Sequence, residues 1–197
     1  VVSGCSGCGR AAFVVGVFSR IPLTVIVESG VGGGAASLRQ AEWFRTGDGR
    51  EIWQCADTPP ASIDVLEDNG PCGPWVSSAA DPLRADPSKI YHLPFDQHLL
   101  LASIAPRSLL HFTNDNGENS WCSLGGTSEA LSAWAAEPVW NALGVPDNMG
   151  FLMYSAMHCD PPAEAASLAS DFFKRVFDGD TTAITDVMEI LPDGVQQ

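Results

Sequence analysis

Apolar residues gather in short runs along this chain, each closed by a break rich in glycine, serine or proline. Ile21 to Val27 (IPLTVIV) is β-branched and continuously hydrophobic, the pattern of a strand buried on both faces. Arg107 to Phe112 and Met149 to Tyr154 read as two more strands. Between and after them the apolar positions fall at helical spacing. Pro94 to Ala105 predicts a helix with Asp96 in its first turn, where the dipole favours negative charge, and Thr127 to Leu143 predicts a second. Pro161 to Phe177 predicts a closing helix, with Pro and Glu at its start and Lys174 and Arg175 in its last turn. Ser37 to Phe44 predicts a short amphipathic helix. Thr46 to Pro87, rich in Gly, Pro, Asp and Ser, reads as a long loop of the kind that shapes a substrate cleft. Val1 to Gly4 reads as the end of a further strand and Cys5 to Gly9 as a tight turn into a helix at Arg10. Strands alternating with helices imply an α/β fold: a parallel sheet covered on both faces. A sequence opening inside its own central strand is expected to be the C-terminal half of one longer domain, with residues 178–197 as a loose acidic tail.

Charge and composition narrow the function. The 197 residues carry 10 Lys and Arg against 24 Asp and Glu, a net charge of −14. That excludes a binder of nucleic-acid backbone, which needs a basic surface. With 45% hydrophobic and 17% charged residues the chain has the means to bury a core. Its longest apolar runs, such as Ala11 to Phe18, are far too short to span a membrane. The cysteines at 5, 8, 55, 72, 122 and 159 include one CxxC, Cys5 to Cys8, with no second pair near it. A zinc ribbon needs two pairs, or one pair with nearby histidines, so disulfides and a secreted protein are the better reading.

Three residues carry candidate chemistry. Ser6 lies in Gly4-Cys5-Ser6-Gly7-Cys8-Gly9, a glycine-framed turn from strand to helix. Such a turn lifts a serine hydroxyl clear of the sheet at the positive end of a helix, although the second framing glycine comes one place later than in G-x-S-x-G. Glu28 ends the Ile21 to Val27 strand and enters the glycine-rich Ser29 to Gly34 loop, at the sheet edge where α/β folds bind ligands. His158 follows the last predicted strand. The order serine, acid, histidine is that of α/β-hydrolase triads. His92, His98 and His111 read as structural.

These residues and their surroundings resemble the glucuronoyl esterases, carbohydrate esterase family 15. Gly4-Cys5-Ser6 is similar to that family's G-C-S-R-x-G-K elbow, and Glu28-Ser29-Gly30 with its glycines to the E-S-G-x-G-G segment. Leu93-Pro94-Phe95-Asp96-Gln97-His98 with Ile104-Ala105-Pro106-Arg107, then Gly144-Val145-Pro146-Asp147-Asn148, and last His158-Cys159, match further family segments in order. The resemblance implies a three-layer α/β/α sandwich of the α/β-hydrolase kind, with Ser6 as nucleophile, Glu28 as acid and His158 as base. It implies a secreted serine esterase that cleaves esters of (4-O-methyl-)glucuronic acid, as in lignin–glucuronoxylan linkages, with no metal or organic cofactor. The expected partners are that carbohydrate ester and the N-terminal half of the parent chain, with neither nucleic acid nor membrane.

The resemblance also implies a disulfide between Cys5 and Cys159, tying the elbow to the histidine loop. A second family bridge has no cysteine in the corresponding stretches, Ala35 to Leu38 and around Ala130. A Cys55–Cys72 bridge is a further possibility. Departures from the pattern bear on activity. Gly7 stands where the family has an arginine that helps stabilise the oxyanion, and leaves its backbone N–H for that task. Arg10 stands for the family lysine that grips the uronate hydroxyls. Trp121, Gln54 and Glu67 are the counterparts of sugar-binding residues. Asp115, after the second strand, is the alternative acid, placed where most α/β-hydrolases keep theirs. Two rival readings stay open: a non-catalytic esterase-like binding or structural domain, and a serine esterase of other specificity.

Overall fold

The computed structural model describes residues 1–30, 33–39, 78–80, 82–83, 86–114 and 126–190. Its centre is a five-stranded sheet in the order β1-β2-β3-β4-β5, parallel throughout. The strands are β1 (Val2–Cys5), β2 (Leu23–Val27), β3 (Ser108–Asn114), β4 (Met149–Tyr154) and β5 (Met188–Ile190). Strand order follows chain order, so each neighbour is reached by a crossover, as parallel pairing demands.

The continuous hydrophobicity of the strands is explained by burial on both faces. Ile26, Leu109, Met149, Phe151 and Met153 point to one side. There they meet Phe13 of α1 (Gly7–Phe18), Leu101 of α2 (Gln97–Ala102), Ala130, Ala133 and Ala136 of α3 (Gly126–Ala136), and Trp140 of α4 (Pro138–Ala142). Leu23, Val25, Leu110, Phe112, Leu152 and Tyr154 point to the other side, against Ala165, Leu168 and Phe172 of α5 (Ala163–Phe173). The result is three layers, helix, sheet and helix. Alanines on α3 let that helix lie close to the sheet.

Several predicted elements shift at their ends for identifiable reasons. The helix expected over Pro94 to Ala105 is the shorter α2, because Asp96 is its N-cap, accepting from Gln97 N at 2.7 Å, rather than a first-turn residue. The single helix expected over Thr127 to Leu143 divides into α3 and α4 at Pro138, which lacks the N–H a continuous helix needs. The closing helix starts at Ala163, and Lys174 and Arg175 fall in a separate π-helical turn, Lys174–Asp178, that ends at Gly179 with φ 71°. The tail from Asp178 was expected to be loose; its described part, as far as Ile190, is instead held against the sheet, a correction. Thr185 is buried and donates to Asp147 O at 2.7 Å, and β5 pairs with β4 through Phe151 and Met188. Of the helix expected over Ser37 to Phe44 only Ser37 to Arg39 are described, and they lead into a turn at Leu38 and Arg39; the rest of it and most of the Thr46 to Pro87 loop lie outside the described residues. Among the described residues, no helix is long and apolar enough to cross a membrane.

Candidate active site

The C-terminal ends of β1, β2 and β4 lead directly into Ser6, Glu28 and the His158 loop. A parallel sheet puts all these ends on one edge, which is why residues far apart in sequence converge there.

Ser6 sits between β1 and α1 with φ 55° and ψ −125°, a conformation that costs a non-glycine residue free energy. Its N–H donates to Val27 O at 3.0 Å, and its carbonyl accepts Arg10 N at 3.0 Å, so both sides of the turn are anchored. The glycines have separate tasks. A Cβ on Gly4 would lie 2.2 Å from Cys8 O, and one on Gly9 would lie 2.7 Å from Val27 O. Gly9 therefore serves the close contact of α1 with β2, which accounts for its place one residue later than the usual framing position. Ser6 stands at the N-terminal end of α1, the positive end of the helix dipole, with Gly7 as the first helical residue.

Glu28 is completely buried and also has positive φ, 43°. Its Oε2 lies 2.5 Å from His158 Nδ1 and accepts from Cys159 N at 3.1 Å. Its Oε1 accepts from Tyr154 Oη at 2.7 Å. Each of these partners carries a hydrogen it can donate to the carboxylate, and the pairing with Nδ1 presents the other imidazole nitrogen outward. Burial, then the hydrogen bond to Glu28 and the nearby charges of Glu28, Glu129 and Asp160, push the Tyr154 hydroxyl far above its ordinary 10.0. Tyr154 thus donates to Glu28 as a neutral hydroxyl.

Cys5 and Cys159 form a disulfide, S–S 1.99 Å, across a sequence separation of 154. It joins the residue before Ser6 to the residue after His158, and sets His158 Nε2 3.6 Å from Cys159 Sγ. Donor atoms of Cys5, Glu28, His158 and Cys159 lie within 4.8 Å of one another, but both sulfurs are spent in the disulfide and offer no thiolate to a metal. The CxxC is accordingly no bonded or metal-holding pair: Cys8 is a free, exposed thiol. On the far side, Asn114 Nδ2 donates to Ala156 O at 2.6 Å and steadies the approach to His158.

The loop after Glu28 is held from two directions. Asp96 accepts from Ser37 Oγ at 2.6 Å and Leu38 N at 2.8 Å, and Gln97 Nε2 donates to Gly34 O at 2.8 Å, which gives the Leu93 to His98 motif a structural task. Glu129 holds the loop's other end, accepting from Ser29 Oγ at 2.5 Å and Gly30 N at 2.8 Å. Arg10 Nε donates to Ser29 O at 3.0 Å, so part of the guanidinium is engaged by the loop. The two stretches without their bridging cysteines do adjoin, with Ser128 Oγ donating to Ser37 O at 3.4 Å. Gln54, Glu67, Asp115 and Trp121 lie outside the described residues, as do Cys55, Cys72 and Cys122. Of the histidines read as structural, His111 is wholly buried in β3, His92 is exposed ahead of α2, and His98 is half-buried in the first turn of α2.

Two residues here escaped the sequence reading. Tyr154 was visible only as the end of a strand. Glu129 falls on the buried face of α3 with Ser132, Ala133 and Ala136, and a glutamate on an otherwise small and apolar face was the available signal.

Comparison with known proteins decides the lineage. A family model described as glucuronyl esterase, fungi, matches residues 1–144. This chain belongs to the glucuronoyl esterase family. Within the family, it is 36% identical over 183 residues to the 4-O-methyl-glucuronoyl methylesterase of Hypocrea jecorina, covering 92% of this chain and 35% of that protein. The crystal structure of a glucuronoyl esterase from Sporotrichum thermophile superposes with TM-score 0.74 at 29% identity, over 96% of this chain and 46% of that one. A serine-to-alanine mutant from the same organism, in complex with methyl 4-O-methyl-β-D-glucopyranuronate, gives TM-score 0.74 at 29% identity, over 98% of this chain and 47% of that one. The three layers are therefore those of the α/β-hydrolase fold seen in glucuronoyl esterases. The chain spans less than half the length of these relatives.

Proposed function

We propose that the protein containing this chain is a secreted serine esterase that hydrolyses esters of glucuronic acid or its 4-O-methyl derivative, such as those linking glucuronoxylan to lignin alcohols. The contact between Glu28 Oε2 and His158 Nδ1 at 2.5 Å carries this reading, because it orients an imidazole as a general base beside a serine held in a strained elbow. Membership of the glucuronoyl esterase family and the methyl glucuronate ester bound by the Sporotrichum thermophile mutant supply the substrate class.

In the reaction, Ser6 Oγ attacks the ester carbonyl as His158 Nε2 takes its proton. Negative charge gathers on the carbonyl oxygen, and Gly7 N–H at the start of α1 stabilises it. Collapse expels the alcohol, which takes the proton back from His158. The glucuronoyl ester of Ser6 remains. Water, deprotonated by His158, attacks it and releases the acid. Glu28 keeps its charge throughout and stabilises the imidazolium. Arg10 and Trp121 hold the uronate ring, with Gln54 and Glu67 as further sugar contacts. The N-terminal half of the parent chain completes the sheet beyond β1 and contributes any second oxyanion donor. Gly7, without the arginine found there in the family, favours one second reading: a serine esterase tuned to a different acyl group.

The test is hydrolysis of methyl and benzyl glucuronate esters by the full-length protein beside its Ser6→Ala variant. Turnover that vanishes in the variant is expected. A folded full-length protein that does not exceed the variant would remove the glucuronoyl esterase reading.

A further inference from the structure

The mechanism leaves one buried charged group unused. Glu129 on α3 has no solvent exposure, and neither do Thr113 and His111 on the adjoining strand. An isolated carboxylate in such a place is costly, and an apolar side chain packs there more cheaply. Glu129 is instead surrounded by donors. Ser29 Oγ donates to its Oε1 at 2.5 Å, Gly30 N donates to the same oxygen at 2.8 Å, and Thr113 Oγ1 donates to Oε2. His111 Nε2 stands 3.6 Å from Oε1. Three donors thus converge on one buried carboxylate.

Two of these donors belong to the residues directly after Glu28. Glu28 holds φ 43°, a region a non-glycine residue keeps only when its surroundings over-determine it. On its N-terminal side the restraint is Glu28 N donating to Phe112 O at 2.8 Å. On its C-terminal side Ser29 is held at its hydroxyl and its carbonyl: Oγ donates to Glu129 and accepts from Ala35 N at 2.9 Å, and the carbonyl accepts from Arg10. Glu129 is the only charged acceptor in that set, and it connects the loop to the sheet through Thr113.

We propose that Glu129 is a positioning residue for the catalytic acid: by fixing Ser29 and Gly30 from α3, it holds Glu28 in the left-handed conformation that directs its carboxylate onto His158 Nδ1. The proposal rests on the serine-esterase reading of the same site. Small displacements of a catalytic group cost roughly 10²-fold in rate, so the effect belongs in the chemical step rather than in substrate affinity.

The experiment uses the full-length protein with Glu129→Gln, in the native and the Glu28→Gln backgrounds. Two rates are read: kcat and KM on benzyl glucuronate, and covalent labelling of Ser6 by an alkyl fluorophosphonate, which needs no sugar. In the native background both kcat and the labelling rate are expected to fall by about 10-fold or more, with KM held within about 2-fold. In the Glu28→Gln background the same change should cost little further, because its route of action is already cut. An equal loss in both backgrounds, a rise in KM with kcat retained, or no loss at all would overturn the proposal. Should Glu129→Gln not fold, Ser29→Ala removes one of its two loop contacts and faces the same criteria. If wild type labels at Ser6 but does not turn over benzyl glucuronate, the substrate reading fails while labelling still judges Glu129. If wild-type Ser6 does not label, both fall.

Discussion

Glu28 Oε2 and His158 Nδ1 lie 2.5 Å apart although 130 residues separate them in the chain. The contact exists because β2 and β4 run parallel and end on the same edge of the sheet, with β3 between them. Replacing Glu28 by Gln keeps the shape but lets Nδ1 meet an amide, which no longer favours the tautomer that leaves Nε2 free to accept a proton. A fall in kcat of about 10³–10⁴ is expected, with KM little changed. Asp115→Asn should leave kcat within about 2-fold if Glu28 is the acid. Steady-state kinetics on the paired variants measure the assignment.

Tyr154 links the site to pH. Its folded pKa lies above the ordinary 10.0, so the folded protein keeps the phenol proton where the unfolded chain releases it. The stabilisation is fully present below about pH 10 and is lost as pH rises beyond it, since the unfolded state then binds fewer protons. Urea unfolding of wild type should therefore weaken more steeply above pH 10 than that of Tyr154→Phe. Parallel curves for the two proteins would contradict the role given to this hydroxyl. The variant also deprives Glu28 Oε1 of its donor, and a drop in kcat of about 10-fold is expected at neutral pH.

The disulfide between Cys5 and Cys159 closes a loop of most of this chain, so its removal should be felt in stability as well as rate. Cys159→Ala is expected to cost about 2–5 kcal/mol and to lower kcat by loosening the histidine loop. Cys8→Ser, which alters an exposed free thiol, should change neither. Thermal unfolding and kinetics with and without reductant check both halves of the statement.

Gly9 is required by a close approach. A Cβ there would meet Val27 O at 2.7 Å, Gly4 O at 3.2 Å and Ser29 Cα at 3.3 Å, all backbone atoms without freedom to move aside. Gly9→Ala is expected to destabilise by about 1–3 kcal/mol, read as a lower midpoint in urea, and to disturb Ser6 and Glu28 together.

Much of this arrangement was legible in the residues themselves. Met149 to Tyr154 was read with the strand's own ends because its alternating positions are buried on both faces. Ser6, Glu28 and His158 were found because each stands where a strand stops and a glycine-rich or short polar turn begins. Other features depend on tertiary contacts that local pattern does not carry. β5 is a short segment, Met188–Ile190, whose strand character comes from pairing with β4 rather than from its composition. Glu129 in a helix reads as a solvated residue or a complement to the helix dipole until Ser29, Gly30 and Thr113 are brought to it. The split at Pro138 was visible in principle, since a proline within a helical pattern marks a boundary.

The most direct measurement is the identity of the covalent intermediate. The full-length protein is mixed with a 4-nitrophenyl ester of glucuronic acid, quenched in acid, reduced and mapped by peptide mass spectrometry. Expected are a burst of 4-nitrophenol and a glucuronoyl adduct on Ser6 in the tryptic peptide ending at Arg10, both absent in Ser6→Ala. Full turnover by Ser6→Ala, with no adduct on Ser6 in wild type, would contradict nucleophilic catalysis by this serine.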